Sequence, residues 1–444
     1  MNKEFHKKQN FFSFSDIDSE RKDRIMKFTS TEATPAPHVP PGVLRLTGAA
    51  KEDIPMYRIQ TMNKISPVGL NRFPSELYEV GDAVQDPQGI LVRSAKLLDL
   101  EFNPGLLAIA RAGVGVNNIP LDRCAAAGIP VFSTPGANAN AVKELVICAM
   151  LMGSRDIPGA IRWVREQAAS GVDVSTVVEK GKSAFIGPEL YKKTLGIIGL
   201  GAIGSIVANT AISLGMDVYG YDPFLSVDTA LRLDRHVHVV KDINDLYKRS
   251  DYITMHIHYT EKTAHMIDAS AIAAMKRGVR VINLARGEIV DDEAMLTALD
   301  TGMVAAYITD FPNNRLLTAP HVIAMPHLGA STPESEQNCA AMAVDALRDY
   351  LESGNIRSSV NLPEMTMDRS GVQRLCVLHK NVPGMLANIT SLFGRDGVNV
   401  ENLSNKSRGD YAYTMVDLGS KVGDNVIEDV RRTANVIRVR SLEW

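Results

Sequence analysis

The sequence predicts an α/β protein built around a doubly wound parallel sheet, with a smaller module at its C-terminal end. Two observations predict the parallel sheet. Short apolar strands alternate with helical stretches from Met56 to about Leu351, and a glycine-rich turn joins one such strand to a helix. A third observation separates the C-terminal part, because residues 372–444 follow the order βαββαβ of a ferredoxin-like module.

The composition limits the classes of function. The chain has 444 residues, enough for two to four domains, and its 48 basic and 51 acidic residues leave a net charge of −3. A nearly neutral chain has no electrostatic reason to bind nucleic acid or an anionic membrane. No apolar run approaches the roughly 18 residues of a membrane span. The four cysteines have no paired spacing, which predicts no disulfide framework and no metal site and favours a cytoplasmic location.

Residues 1–55 differ from the rest of the chain. They mix charges of both signs and then carry a group of prolines, so we expect a disordered or loosely ordered extension. No apolar stretch follows the first lysines, which argues against a secretory signal. Acidic residues in this segment disfavour an organellar transit peptide, although that alternative stays open.

Strands and helices can be assigned in order from residue 56. The segments that read as strands before the glycine turn are residues 56–63, 89–94, 106–113 and 128–136, and residues 139–157 have apolar residues at helical spacing. Later strands are predicted at residues 252–257, 279–285, 304–310 and 322–327. Residues 352–371 are expected to form a polar linker to the C-terminal module.

The glycine turn has the features of a dinucleotide-binding site. Gly199, Gly201 and Gly204 form G-x-G-x-x-G directly after an apolar strand, and a helix opens near Ala202. Such a turn lets the backbone approach a pyrophosphate, which the helix N-terminus then stabilises. Asp222 ends the next strand, where a carboxylate binds a ribose hydroxyl and disfavours a 2′-phosphate. The pattern therefore favours NAD, with a solvated turn residue as the alternative reading of Asp222.

Two further side chains follow predicted strands at the same edge of the sheet. Arg286 ends the strand in "INLARG", and His327 ends the strand in "AMPHLG". Ligands of open α/β sheets bind at this edge. A guanidinium can bind a carboxylate through two hydrogen bonds, and a neutral imidazole can take a proton from a hydroxyl group. The pair predicts a catalytic site for a small acid.

These motifs resemble those of the D-isomer-specific 2-hydroxyacid dehydrogenase family. The resemblance covers the chain from Met56 to its end and rests on "ILVRSAK" (90–96), "RAGVGVNN" (111–118), "GLGAIG" (199–204), "NLARGEIVDDEAM" (283–295) and "PHLGAST" (326–332). It implies a Rossmann cofactor domain, residues 138–330, inserted in a flavodoxin-like substrate domain made of residues 56–137 and 331–365. It also implies an active-site cleft between the two, with Arg286 and His327 as the catalytic residues.

The resemblance assigns further residues to NAD and to the substrate. The cofactor contacts that it implies are Gly199, Gly201, Ala202, Ile203, Gly204, Asp222, Leu284, Ala285, Asp310, Leu328, Gly329 and Ala330. A phosphorylated acid needs cations at its second end, and the candidates are Arg93, Lys96 and Arg111 with backbone amides at Ser94 and Gly113. Lys96 can also be read as a solvated loop charge.

The sequence departs from the family at one catalytic position. Members usually carry a glutamate a few residues after the aspartate that corresponds to Asp310, and it binds the catalytic histidine. Here Arg315 occupies that position. We expect the histidine to lose a stabilising partner, which alters the pH dependence of the reaction. Glu334 is a conceivable substitute.

The C-terminal module resembles an ACT domain, an effector-binding unit of enzymes of amino-acid metabolism. His379, Asn381 and Asn399 match its ligand positions, which implies an L-serine site between two paired modules and hence a homo-oligomer. The alternative is a dimerisation module that binds no ligand. With this module, the chain is most similar to members that oxidise 3-phospho-D-glycerate to 3-phosphohydroxypyruvate, the first step of L-serine biosynthesis. Another NAD-dependent 2-hydroxyacid dehydrogenase, such as a hydroxypyruvate, glyoxylate or 2-oxoglutarate reductase, and a non-catalytic NAD-sensing scaffold are the alternatives.

Overall fold

The computed structural model describes residues 56–444, and the extension predicted at residues 1–55 lies outside them. The described chain forms three sheets of five, seven and four strands. The first two are entirely parallel and the third is antiparallel, so the predicted fold class is confirmed. In the described part, no helix combines the length and the apolarity that crossing a membrane requires.

The five-stranded sheet has the order β2-β1-β3-β4-β5. Its strands are β1 Tyr57–Met62, β2 Tyr78–Gly81, β3 Gly89–Val92, β4 Ala108–Arg111 and β5 Val131–Phe132, and its short helices are α1 Pro67–Leu70 and α2 Leu121–Ala126. The middle strands consist almost entirely of buried residues, as expected for a sheet covered on both faces. Arg93 directly follows β3 and Arg111 ends β4, so both stand at the carboxyl edge of this sheet.

The seven-stranded sheet has the order β12-β11-β10-β9-β6-β7-β8. Its strands are β6 Thr194–Ile198, β7 Asp217–Tyr221, β8 Val237–Val240, β9 Tyr252–Met255, β10 Val279–Asn283, β11 Val304–Thr309 and β12 Val322–Ala324. The strand order reverses between β6 and β9, which creates the crevice where open α/β sheets bind ligands. The glycine turn follows β6 at this point.

Helices surround the seven-stranded sheet and return the chain to the first one. They are α3 Ala139–Arg155, α4 Ile157–Ala169, α5 Val174–Gly181, α6 Ala202–Ser213, α7 Val227–Ala230, α8 Ile243–Arg249, α9 Ala269–Ala273, α10 Asp292–Asp300 and α11 Pro333–Ser353. Short 3₁₀ turns occupy Lys182–Phe185, Gly287–Ile289 and Leu316–Thr318. The buried side of α11, including Ala343 and Leu347, shares one apolar core with β1 and β4. The seven-stranded sheet is therefore inserted between parts of the chain that pack together.

The four-stranded sheet has the order β14-β15-β13-β16. Its strands are β13 Gln373–Lys380, β14 Val400–Arg408, β15 Tyr411–Leu418 and β16 Val436–Glu443, and its helices are α12 Met385–Arg395 and α13 Asp424–Arg432. The helices cover one face. Residues of the other face, including Cys376, Leu378 and Tyr413, belong to the same core as α11. The C-terminal module is thus packed on the five-stranded part of the fold.

The expectation of a polar linker over residues 352–371 is wrong for most of that segment. Ile356 and Leu362 are fully buried, and Ile356 pairs with Met365 through an isolated β-bridge. Ser359 pairs in the same way with Phe132 at the end of β5. The apolar residues of this segment are spaced so that they pack between the five-stranded and the four-stranded sheets. The polar residues among them concealed that spacing in the sequence.

Candidate active site

The glycine turn after β6 is shaped by close backbone contacts. Gly199 has φ +91°, and a Cβ there would lie 2.7 Å from the carbonyl oxygen of His256. A Cβ at Gly204 would collide with the carbonyl oxygen of Gly199. By contrast, a Cβ at Gly201 would meet no described atom within 4 Å, so the space in front of this residue is open. The turn therefore presents the N-terminus of α6 to an open cleft, as a pyrophosphate site requires.

Asp222, one residue past the end of β7, is hydrogen-bonded to this turn. Its Oδ2 accepts from the backbone N–H of Leu200 at 2.9 Å, and its Oδ1 accepts from that of Phe224 at 2.8 Å. Each carboxylate oxygen keeps further acceptor capacity for a ligand hydroxyl. The half-buried carboxylate is fixed beside the turn, in the position that a ribose hydroxyl would need.

Two guanidinium groups converge at the mouth of the crevice. A Cβ at Gly115 would lie 3.1 Å from Nη2 of Arg286 and 3.4 Å from Nη1 of Arg111. Arg286 also donates from Nη1 to the carbonyl oxygen of Ala285, at 2.6 Å. Burial lowers the pKa of Arg111, and the positive charges of Arg286 and Arg93 lower this pKa further. The arrangement concentrates positive charge, and bound anions would relieve the repulsion.

His327 faces an aromatic ring. The ring centroids of His327 and Phe311 are 4.7 Å apart with an interplanar angle of 45°, and the guanidinium carbon of Arg286 lies 5.8 Å from the same Phe311 ring. Within residues 56–444, no carboxylate makes a hydrogen bond or an ion pair with His327. Phe311 thus lies near both side chains predicted to be catalytic.

Neither Arg315, which occupies the position of the family's glutamate, nor Glu334, the conceivable substitute, contacts His327. Arg315 is exposed and lines a separate cavity of about 620 Å³ together with Asp291, Asp292 and Phe311. Glu334 opens onto another cavity, lined in part by Asn140. Within residues 56–444, one carboxylate lines the crevice that contains His327, that of Glu336.

The crevice between the two parallel sheets has a volume of about 320 Å³. Ten of the residues predicted for the site line it: Arg93, Arg111, Gly113, Ile203, Leu284, Ala285, Arg286, His327, Gly329 and Ala330. They come from the carboxyl edges of both sheets, which is why residues so distant in sequence meet.

Asp310 lies behind the crevice and fixes the backbone that follows His327. Its Oδ2 accepts from the backbone N–H groups of Leu328 and Gly329, both at 3.1 Å. Its Oδ1 is buried and has no hydrogen-bond partner among the described residues. Burial raises the pKa of Asp310, although hydrogen bonds and the nearby His327 oppose that shift. A buried acceptor without a partner fits a ligand that brings a donor to this position.

Two predicted substrate contacts are not brought to the crevice. Lys96 is exposed and is not among the lining residues. The backbone N–H of Ser94 donates to Oδ1 of Asn63 at 3.0 Å, so this amide is already engaged. The loop turns away after Arg93 because Asn63 binds it.

Sequence reasoning missed several crevice residues. Asn138, His256, His258 and Glu336 line it, and Phe311 lies beside it. His256 directly follows β9, so the strand-end rule that found Arg286 would have found it too. Part of the His256 side chain remains open to the crevice, but the protein atoms around it are dense enough to lower its pKa to about 4 by desolvation. We therefore treat His256 as neutral at pH 7.

The three residues predicted to bind an effector do not meet within one chain. Asn381 donates from its backbone N–H to the carbonyl oxygen of Asp410, before β15, whereas the carbonyl oxygen of Asn399 accepts from Gly419, beyond the other end of β15. A strand of this length separates them by about 25 Å. His379 is buried, and both ring nitrogens contact oxygens of the module itself, at Lys380 and Thr414.

The fold and the crevice define a dinucleotide-binding protein of the doubly wound α/β class. The open space at Gly201, the carboxylate of Asp222 and the unpartnered oxygen of Asp310 all fit a bound NAD. The family model for the NAD-binding domain of D-isomer specific 2-hydroxyacid dehydrogenases matches residues 147–329. The cofactor of this domain is therefore NAD.

Comparison with known proteins identifies the family. The chain is 36% identical over 326 residues to a D-3-phosphoglycerate dehydrogenase of Synechocystis, in an alignment that covers 71% of this chain and 56% of that protein. It is 31% identical over 379 residues to the D-3-phosphoglycerate dehydrogenase of Haemophilus influenzae, covering 82% of this chain and 88% of that protein. The chain belongs to the D-isomer specific 2-hydroxyacid dehydrogenase family. It spans only a little more than half the length of the Synechocystis relative.

A solved structure supports the same assignment. The NAD⁺-bound 3-phosphoglycerate dehydrogenase of Entamoeba histolytica superposes with a TM-score of 0.55 and 26% identity, covering 69% of this chain and 99% of that chain.

Proposed function

We propose that this protein oxidises 3-phospho-D-glycerate to 3-phosphohydroxypyruvate with NAD, the first step of L-serine biosynthesis. The observation that carries the proposal is the crevice, where three guanidinium groups and three imidazoles, among them that of His327, surround a cavity beside a dinucleotide turn. Such a charge distribution suits a small acid with an anionic group at each end. The printed names of the relatives support the same substrate.

In the proposed reaction, Arg286 and His327 have different roles. Arg286 binds the substrate carboxylate and orients the carbon that is oxidised. The imidazole of His327 accepts the proton of the substrate hydroxyl group. Bound NAD supplies the chemistry of a hydride acceptor. Phe311 contacts both side chains and keeps the imidazole from turning away.

The phosphate end of the substrate is proposed to bind Arg93 and Arg111. These side chains stand on the five-stranded side of the crevice, and Nε of Arg111 donates to the carbonyl oxygen of Arg93 at 2.9 Å. A dianionic phosphate gains more from two guanidinium groups than an uncharged hydroxymethyl group does. The arrangement should therefore favour a phosphorylated acid over the unphosphorylated one.

The proposed domain organisation follows the three sheets. Residues 56–137 and 331–365 form the substrate domain, residues 138–330 the cofactor domain and residues 372–444 the regulatory module. The separate apolar cores of the two parallel sheets support the first division. The cysteines at 124, 148, 339 and 376 are free thiols, which supports a cytoplasmic location.

Regulation by L-serine is proposed to need a second copy of the chain. β14 is an edge strand of its sheet, and antiparallel pairing of two such edges would bring Asn399 of one copy towards Asn381 of the other. Both side chains are exposed and can turn to a ligand. Millimolar serine should reduce activity in the wild type and have less effect on Asn381→Ala and Asn399→Ala. Unchanged wild-type activity would remove the feedback proposal.

The direct test of the activity is an NADH-linked assay between pH 6 and pH 10. It compares 3-phospho-D-glycerate with D-glycerate, D-lactate and 2-hydroxyglutarate. We expect the highest kcat/KM for 3-phospho-D-glycerate. A higher value for an unphosphorylated acid would assign the protein to another dehydrogenase of the family, and absence of turnover with NAD would favour a scaffold.

A further inference from the structure

Among the residues that the structure describes, Glu336 is the one carboxylate that lines the crevice. It lies in the first turn of α11, and its Oε1 is 2.6 Å from Nη2 of Arg93. The neighbouring Glu334 lies two residues earlier on the same helix but lines a different cavity. One turn of α11 thus carries two glutamates, of which only Glu336 reaches the cations of the crevice.

The ion pair engages Arg93, a cation that the phosphate group of the substrate would need. Arg93 and Arg111 are the candidate ligands of the phosphate group, and Glu336 holds the first of them. An arriving phosphate group competes with the carboxylate of Glu336 for the same guanidinium group. Arg286 and Arg111 carry positive charges that no described carboxylate pairs within 4 Å.

The ion pair between Arg93 and Glu336 can be separated by a competing anion. The Arg93 side chain is 41% exposed and that of Glu336 is 44% exposed, so water can solvate both groups when they separate. Exposed ion pairs contribute little to stability, and their loss changes an equilibrium constant by about two- to fivefold. A dianion that also reaches Arg111 can displace a single carboxylate from Arg93.

We propose that Glu336 is an internal competitor for Arg93, which the phosphate group of the substrate displaces when it binds. This inference rests on the proposed function and deepens it. Glu336 then lowers the affinity for phosphorylated acids and leaves the affinity for unphosphorylated acids unchanged. It is a residue that sets substrate specificity.

The test compares Glu336→Gln with Glu334→Gln as the matched control. Calorimetry on the full-length protein with NAD present measures the Kd of inorganic phosphate, 3-phospho-D-glycerate and D-glycerate. We expect E336Q to tighten binding of the two phosphate-bearing ligands about two- to fivefold and to leave D-glycerate unchanged. The control should bind all three ligands as the wild type does.

A second variant links the effect to Arg93. In an Arg93→Gln background, E336Q should no longer change the Kd of inorganic phosphate, because the competing pair is already gone. Weaker or unchanged phosphate binding in E336Q, or an effect that persists without Arg93, would overturn the inference. Turnover is measured separately. Tighter phosphate binding without oxidation of 3-phospho-D-glycerate would overturn the proposed function alone, and oxidation with no effect of E336Q would overturn this inference alone.

Discussion

The ring of Phe311 lies 4.7 Å from the imidazole of His327. Among residues 56–444 no carboxylate contacts His327, and Arg315 lines a separate cavity together with Phe311. An aromatic contact restricts the orientation of an imidazole but supplies no negative charge. Its contribution is about 0.5–1.5 kcal/mol, less than a charged hydrogen bond provides.

Replacing Phe311 with Leu should therefore reduce kcat about two- to tenfold, because the imidazole loses the ring that orients it. Phe311→Tyr retains the ring and should keep kcat near the wild-type value. Steady-state kinetics and a thermal melt of each variant separate this effect from general destabilisation. Equal kcat values in F311L and the wild type would show that the ring does not position His327.

Asp310→Asn should stabilise the ligand-free protein and weaken NAD binding. The buried Oδ1 has no described partner, and burial raises the pKa of this carboxyl group. Because the folded state favours the protonated form, the free energy of unfolding of the wild type falls as pH rises through that raised pKa. The amide carries no charge to desolvate. We expect a higher free energy of unfolding at pH 7 and a Kd for NAD about tenfold weaker.

Denaturation at pH 4 and at pH 7, with an NAD titration, checks this prediction. The stabilising effect of D310N should be smaller at the lower pH, where the wild-type carboxyl group is more protonated. A variant less stable than the wild type at both pH values would show that the carboxylate is satisfied in the folded protein.

His256 should make the protein sensitive to acid. Its pKa is lowered from about 6.5 in an unfolded chain to about 4 by desolvation. Between these values the unfolded state binds more protons, so the free energy of unfolding falls as pH decreases. At pH 5 this single group should cost up to about 2 kcal/mol relative to pH 7.

The measurement is the change in Tm between pH 7 and pH 5. His256→Gln should show a smaller drop than the wild type. Identical drops in the two proteins would show that His256 is readily protonated in the fold.

The C-terminal module should be fixed to the rest of the protein by Arg374, which also forms a buried ion pair inside the module. Nε and Nη2 of Arg374 contact the two carboxylate oxygens of Asp417 at 2.5 and 2.7 Å, and both side chains are fully buried. Arg374 also donates to the carbonyl oxygens of Ser353, Met367 and Asp368. One guanidinium group thus joins the end of α11, the following segment and the four-stranded sheet.

Arg374→Met should cost about 3–5 kcal/mol, because it leaves the Asp417 carboxylate buried without its partner. The double variant R374M/D417L should recover much of that loss. Denaturant titration measures both. A loss below about 1 kcal/mol in R374M would show that water reaches Asp417 and that the module is loosely attached.

The parts of the fold that follow a local rule were predictable from the sequence. Strand periodicity and the glycine turn predicted the parallel sheets, and the strand-end rule placed Arg286 and His327 in one crevice. The same rule extended too far for Lys96, which lies four residues beyond β3, after the loop has turned away. Arg286 and His327 lie three residues past β10 and β12 and still line the crevice, so the path of the loop after the strand decides which side chains reach it.

Other features depend on partners that are distant in sequence. Arg374 and Asp417 look like ordinary polar positions of half-exposed strands, and only the packing of the sheet on α11 buries them. Glu336 has no sequence signal that distinguishes it from Glu334, because the direction of α11 relative to β3 decides which of them meets Arg93. Phe311 lies near two catalytic candidates because β11 is the neighbour of both β10 and β12.

His327 is proposed to take the proton of a 2-hydroxy acid beside bound NAD. The rate of NADH formation from 3-phospho-D-glycerate by His327→Gln tests this role, with the Kd for NAD determined on the same preparation. We expect a rate at least about 100-fold below that of the wild type, with the Kd for NAD unchanged. NADH formation at the wild-type rate in H327Q would contradict it.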